Sequence, residues 1–367
     1  MTANSYLEVN TSALRSNAES ILASLAPGAK LVPVLKGNAY GLGAVPAARL
    51  LAELPEIDTF AVSHVSEGLA LREAGIREEI WVMSLPPDGL YEAAAERDLT
   101  LTLASFRQLE LLRSLSKRLG RPVKVQLKLD TGLHRIGFPE SELPELAAAL
   151  PAYASCLRIR GTFSHFADDV PEHMDRQFAC FLRGLACLEN AGIPTGIRSI
   201  SSSAPMERSH RYDLDAVRIG RRLYMDHPSA PVGGIAEVPS LRTYLTDVRE
   251  RRAGETLAYG SSFVLPKDTR VGLISVGYGD GIPEALFLSG APILIRGQKA
   301  RLLAACMDQS FADLGEISCE PGDEVTFFGR DGKGSFLSSQ EVAARIGDKE
   351  GCGLTAALLP RVERIYI

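Results

Sequence analysis

The sequence predicts an α/β fold: an N-terminal (β/α)8 TIM barrel followed by a C-terminal, mostly β-strand domain. Three observations carry this expectation. Eight apolar, strand-like runs recur between Leu31 and Ile219, with helical patterns between most of them. Polar and ionisable residues stand at the ends of those runs, where a barrel gathers its functional groups. Past about Val232 the segments shorten and turns multiply. A doubly wound open sheet is the competing arrangement for the first part.

Taken in order, Tyr6–Val9 alternates and reads as a lone leading strand, with residues 1–9 able to join the C-terminal domain. Thr11 to about Leu25 has a helical pattern that Pro27-Gly28 ends. The eight runs are Leu31–Leu35, Thr59–Ser63, Ile80–Ser84, Leu99–Leu103, Val123–Leu129, Ile159–Ser164, Ile197–Ser201 and Ala216–Ile219. Ser105 stands where it could cap a helix burying Phe106, Leu109, Leu112 and Leu115. A longer helix starts near Pro171, carries Met174, Phe178, Phe181, Leu185 and Leu188 on one side, and stops at Gly192. The expected division is 1–232 and 233–367. In the second part, turns at Gly233-Gly234, 266–268, 277–281, 296–297 and 331–334 separate strands near 270–276, 291–295, 300–304 and 324–328.

The chain has 367 residues, 46% of them apolar, enough for two domains and a substantial core. Its net charge is −5 and no basic block stands out, which argues against nucleic acid as a partner. No apolar run approaches a membrane span, and the N-terminus has no basic segment followed by an apolar one, so no secretory signal is expected. The six cysteines are scattered without a CxxC pair, which fits reduced thiols rather than a disulfide framework or a metal site.

The stretch around which the chain is organised is LVPVLKGNAYGLGA, 31–44. A buried strand ends on Lys36, and glycines and Asn38 follow it. An apolar strand can deliver an amine whose burial lowers its pKa and frees it as a nucleophile. Taken alone, the same residue reads equally well as a solvated loop lysine.

The motifs VLKGNAYGLG, QLKLDTGLHRIGF, SHFADD, SSSAP, VRIGRRLY, AYGSSF, VGYGDG and CMDQS follow one another over essentially the whole chain. In that order they resemble the alanine racemases, pyridoxal-phosphate enzymes of fold type III. The resemblance implies a cytoplasmic homodimer with a shared site that interconverts L- and D-alanine, usually for bacterial cell wall. Lys36 would carry the cofactor covalently and act as one acid/base group. Tyr259, from the partner subunit, would be the other. Inverting a Cα takes a proton from one face and returns one to the opposite face, so two groups are needed.

By the same resemblance, Arg218 faces the cofactor's pyridine nitrogen and His165 supports it. Tyr40, Ser203, Gly220 and the backbone of Arg221 bind the phosphate. Arg135 contacts the cofactor and the substrate carboxylate. Lys128 matches a lysine that is often carbamylated. Met307 offers a backbone N–H to the substrate, Tyr278 stands at the entrance, and Asp308 is structural. No metal is implied.

Three positions depart from the family's commonest pattern. Leu42 replaces a frequent histidine. Arg221-Arg222 replaces small or aliphatic residues and reads as a solvated pair. Pro360 falls where some members carry tyrosine, which would open the pocket to serine or lysine. The alternatives are a racemase of such a larger amino acid, a fold-type III decarboxylase, or a cofactor-carrying protein without turnover. A metal-dependent barrel hydrolase is more remote, since the six histidines form no ligand cluster.

Overall fold

The computed structural model describes residues 3–225 and 234–367. The expected boundary at Val232 and the turn residue Gly233 lie outside the described residues.

All eight expected runs are strands: Lys30–Pro33, Thr59–Val62, Glu79–Val82, Thr100–Leu103, Val123–Asp130, Leu157–Phe163, Ile197–Ser199 and Ala216–Ile219. Each pairs in parallel with its neighbours from the second to the seventh. The eighth pairs in parallel with the first, in register Ala216↔Lys30. The bridge Val34↔Ala61 joins the first strand to the second. Hydrogen bonds from Arg218 N to Ser201 O (3.2 Å) and from Asp215 N to Arg198 O (3.2 Å) link the seventh and eighth. The parallel sheet therefore closes, and the open-sheet alternative falls away.

Side-chain alternation sorts each strand into two faces. Val32, Val34, Ala61, Trp81 and Ala216 pack together as one cluster, while Leu31 and Leu35 of the first strand join the large core under the helices. Arg218 lies two residues beyond Ala216, so it shares the face of the interior cluster and is carried toward the C-terminal end of the barrel.

The helices follow the apolar periodicity. Thr11–Ser24 buries Leu14, Ala18 and Ile21, and Asn10 caps it by accepting from Ala13 N at 2.9 Å. Phe106–Leu119 buries Leu109, Leu112 and Leu115. Ser105 makes no capping bond to that helix; its hydroxyl meets Gln108 Oε1 at 3.3 Å instead. Pro171–Asn190 buries Met174, Phe181, Leu185 and Leu188, with Phe178 half-buried.

In the second part, six strands form a closed antiparallel ring: Pro239–Arg251, Thr269–Ile274, Ser310–Asp313, Gln298–Ala305, Pro292–Ile295 and Glu324–Arg330. The ring closes where Glu324–Arg330 pairs with Pro239–Arg251. Ser5–Val9 lies antiparallel to Pro239–Arg251 and parallel to the last strand, Glu363–Tyr366. The two ends of the chain thus share one sheet edge. Among the described residues no helix is long and apolar enough to cross a membrane. All six cysteines are unpaired.

Candidate active site

The first barrel strand delivers Lys36 to the C-terminal rim. The chain then makes a left-handed turn: Gly37 (φ 62°, ψ 38°), Asn38 (57°, 48°), Ala39 (54°, 51°) and Tyr40 (φ 56°). Left-handed backbone costs roughly 1–2 kcal/mol per residue with a Cβ, so such a turn needs outside support. Backbone bonds close it, from Ala39 N to Leu35 O (2.8 Å) and from Gly41 N to Gly37 O (2.8 Å). Asn38 Oδ1 accepts from Ala44 N at 2.8 Å, and Glu67 Oε1 accepts from Gly37 N at 2.6 Å. From the far end of the chain, Arg364 Nε donates to Gly41 O (3.0 Å) and Tyr366 Oη donates to Leu42 O (2.9 Å). A Cβ at Gly41 would come within 1.9 Å of Thr355 O, so only glycine allows this packing.

One expectation is corrected here. Lys36 is exposed in the single chain, not buried at the strand end. The strand is buried, but the turn carries the side chain over the rim. Its Nζ lies 5.8 Å from the Tyr40 ring centroid.

Inside the rim sits a group of basic side chains. Arg218 is 3% exposed; its guanidinium donates to Ser199 Oγ, to Ser164 O at 2.6 Å and to Ile200 O at 3.4 Å. Burial, then the charge of Arg135, pushes its pKa down to about 9, which leaves it protonated at neutral pH. His165 Nδ1 lies 3.4 Å from Arg218 Nη2. Burial and the cations Arg218, Arg135, Lys128 and Lys36 hold this imidazole down at about 3, so it is neutral. A guanidinium only donates, so Nδ1 accepts and the ring proton belongs on Nε2. Lys128, 1% exposed, donates to Leu129 O at 2.6 Å. Burial and Arg218 lower its amine to about 7. Arg135 is exposed on a loop that Asp130 pins through the amides of Gly132 (3.1 Å) and His134 (3.0 Å).

Tyr40 packs against Gly220, two residues beyond Arg218. A Cβ on Gly220 would lie 2.1 Å from the Tyr40 Oη, so the glycine makes room for the phenol. Burial raises the pKa of that phenol, and the backbone N–H of Arg221, donating to it, partly opposes the rise. Ser203 opens the short helix Ser203–Arg208 after the seventh strand.

The Arg221-Arg222 pair is not solvated. Arg222 is 2% exposed and pairs with Glu207 at 2.7 Å. Arg221 pairs with Glu350 at 2.5 Å, reaching a segment close to the C-terminus. Each cation finds a carboxylate on a neighbouring element, a partnership that adjacent arginines in a sequence do not reveal. Leu42 is fully buried, while Pro360 is exposed in the turn closed by Val362 N to Leu359 O at 3.1 Å.

Tyr259, Tyr278 and Met307 gather separately on the strand-rich part. Tyr259 is 69% and Met307 51% exposed. Met307 O accepts from Gly279 N at 2.8 Å, and Cys306 O accepts from Tyr278 N at 3.3 Å. The Tyr278 phenol is raised, by desolvation first and by neighbouring Tyr259 next. Arg361 ties this group together, donating to Asp280 at 2.6 Å and to Asp308 at 2.9 Å. Among the described residues no hydrogen bond or ion pair joins Tyr259, Tyr278 or Met307 to Lys36 or Arg218. Thus one group contains Lys36, Tyr40, Lys128, Arg135, His165, Arg218, Gly220 and Arg221, and the other stands apart.

The first group fits a phosphate-bearing, anionic cofactor. Its cations repel one another, with Asp130 as the opposing charge near Lys128. Tyr40 Oη, seated against Gly220 and accepting from the Arg221 N–H, keeps its own proton as a neutral donor beside them.

Glu67, Arg364 and Tyr366 escape a reading for chemical motifs. The one cue for Glu67 is a glutamate at the third position of a helix after a strand.

Comparison with known proteins agrees with this arrangement. The model for the N-terminal domain of alanine racemase matches residues 9–228, and that for the C-terminal domain matches 238–366. An alanine racemase from Desulforamulus reducens is 33% identical over 99% of this chain and 98% of its own length. One from Pectobacterium atrosepticum is 35% identical over 92% of each. The alanine racemase structure from Streptomyces lavendulae superposes with a TM-score of 0.91 at 30% identity, over 100% of this chain and 98% of that one. The Bacillus anthracis enzyme with bound L-Ala-P gives 0.90 at 27% identity, over 100% and 96%. With both domain models matched and both parts superposed, the chain belongs to the alanine racemase family.

Proposed function

We propose that this protein is a pyridoxal-phosphate-dependent alanine racemase that works as a homodimer in the cytoplasm, with D-alanine for cell wall as its usual product. Its units are a barrel over 1–232, whose first residues cross to the other sheet, and a β domain over 233–367. The carrying observation is the cluster at the barrel rim: Lys36 beside Tyr40, with buried Arg218 and neutral His165 behind them.

When bound, the cofactor acidifies the α-C–H of an amino acid attached to it. The chain's residues do the rest. Lys36 Nζ holds the cofactor and moves a proton to and from Cα on one face. Tyr259 Oη of a second copy does so on the other face, and Met307 of that copy and Arg135 orient the substrate carboxylate. The exposure of Tyr259 and Met307 supports a site completed between copies. Arg218 keeps its protons at neutral pH and only donates, which weakens the electron sink and favours returning the proton to Cα over side reactions. His165, neutral, accepts from Arg218 and steadies it. Tyr40, Ser203, Gly220 and the Arg221 amide hold the phosphate, and Tyr278 stands at the entrance.

The test is a panel of L-amino acids incubated with protein and cofactor, read by a D-amino-acid oxidase. Alanine should convert fastest. Preference for serine or lysine would move the substrate assignment, and release of CO2 would overturn the racemase.

A further inference from the structure

We propose that Glu67 is a positioning residue for Lys36: its carboxylate holds the Gly37 amide and so fixes the turn from which the lysine projects. The effect on turnover rests on the racemase reading above; the contact itself does not.

Glu67 is the third residue of the helix Val65–Glu73. Its Oε2 accepts from Ser63 N (2.8 Å) and His64 N (2.9 Å), the ordinary task of an acid in a first helical turn. Its Oε1 does something that capping does not require. It accepts from Gly37 N at 2.6 Å, thirty residues back along the chain. Strands one and two are neighbours, joined by the bridge Val34↔Ala61. One carboxylate therefore staples the ends of two adjacent barrel strands.

The Gly37 amide is the group this contact holds. A Cβ at this position would meet nothing within 4 Å, so no packing on that side holds it, and the bond from Gly41 N engages its carbonyl and not its amide. Glycine is also the residue freest to leave the left-handed region. Arg364 and Tyr366 hold the far end of the turn at Gly41 and Leu42. Among the described residues Glu67 is the one side chain that bonds the near end, directly beside Lys36. A bond to an ionised carboxylate is strong enough to hold this local conformation. Released, Gly37 would turn its amide to water, and the lysine would sample several directions over the rim.

Two variants test this, Glu67→Ala and Glu67→Gln, both as full-length holoenzyme and as apoprotein. Amide hydrogen exchange of residues 36–44 in apoprotein should speed about tenfold in Glu67→Ala, as expected for losing a charge-assisted bond. Turnover of alanine should fall by about tenfold or more with KM little changed, because a misplaced acid/base group costs kcat rather than binding. Glu67→Gln keeps a single acceptor oxygen and should fall between wild type and Glu67→Ala in both readouts. Exchange unchanged in both variants overturns the contact. Faster exchange with wild-type kcat overturns the positioning role. If the wild-type protein fails to racemise any amino acid, the racemase reading falls, while the exchange measurement still decides whether Glu67 holds Gly37.

Discussion

Tyr366 Oη donates to the carbonyl of Leu42 at 2.9 Å, so the last strand of the chain braces the turn that begins at Lys36. A Cβ on Gly43 would come within 2.0 Å of the same phenol oxygen. Tyr366→Phe should therefore loosen the turn from its far end, by about 1 kcal/mol for one neutral hydrogen bond. Gly43→Ala should do the same and add backbone strain, since Gly43 has φ 105°. Titration of apoprotein with pyridoxal phosphate should show weaker binding in both variants. Unchanged binding in both would detach the C-terminal strand from the site.

His165 predicts a pH effect on stability. Its folded pKa lies at about 3 because of burial and surrounding cations, below the ordinary value of about 6.5. Between those values the unfolded chain binds the extra proton, so stability is unaffected above about 6.5 and is lost progressively as pH falls below it. In His165→Gln this part of the acid sensitivity should be missing. Urea midpoints measured from pH 8 down to 5 give the comparison, and parallel curves for the two proteins would refute the assignment.

Lys128 predicts carbamylation. An amine at about 7 is mostly neutral at pH 8, and the neutral amine adds CO2 with release of a proton. The carbamate anion would stand beside Arg218 and Arg135 and relieve the repulsion between those two cations. With 13C-labelled bicarbonate a carbamate resonance should appear at pH 8, weaken as pH falls through about 7, and be absent in Lys128→Arg. Its absence from the wild-type protein at pH 8 would contradict the prediction.

Much of this was legible in the sequence for a physical reason. Short strands of a parallel barrel read as runs rich in apolar residues bounded by helical patterns, and all eight stood out. The rim residues were legible because barrel chemistry collects where those runs end, as at Lys36, Lys128, His165 and Arg218. What was hidden depends on partners remote in sequence. Gly37 and Asn38 signal a tolerance of unusual backbone angles, but Ala39 and Tyr40 carry no sign of left-handed backbone; the glycines and the tethers from Glu67, Arg364 and Tyr366 support it there. Nothing in Arg221-Arg222 reveals Glu350 or Glu207. The exposure of Lys36 was misjudged because burial of the strand was extended to the side chain beyond its end.

The central claim is that Lys36 of one copy works with Tyr259 of another. Lys36→Ala and Tyr259→Phe chains, each nearly inactive alone, should be mixed in equal amounts, dissociated and reassembled. Random pairing makes half of the dimers mixed, and each mixed dimer holds one intact site of two, so alanine racemisation should recover to about one quarter of wild type. Activity no greater than the mean of the two parents would contradict the shared site and the two-base account with it.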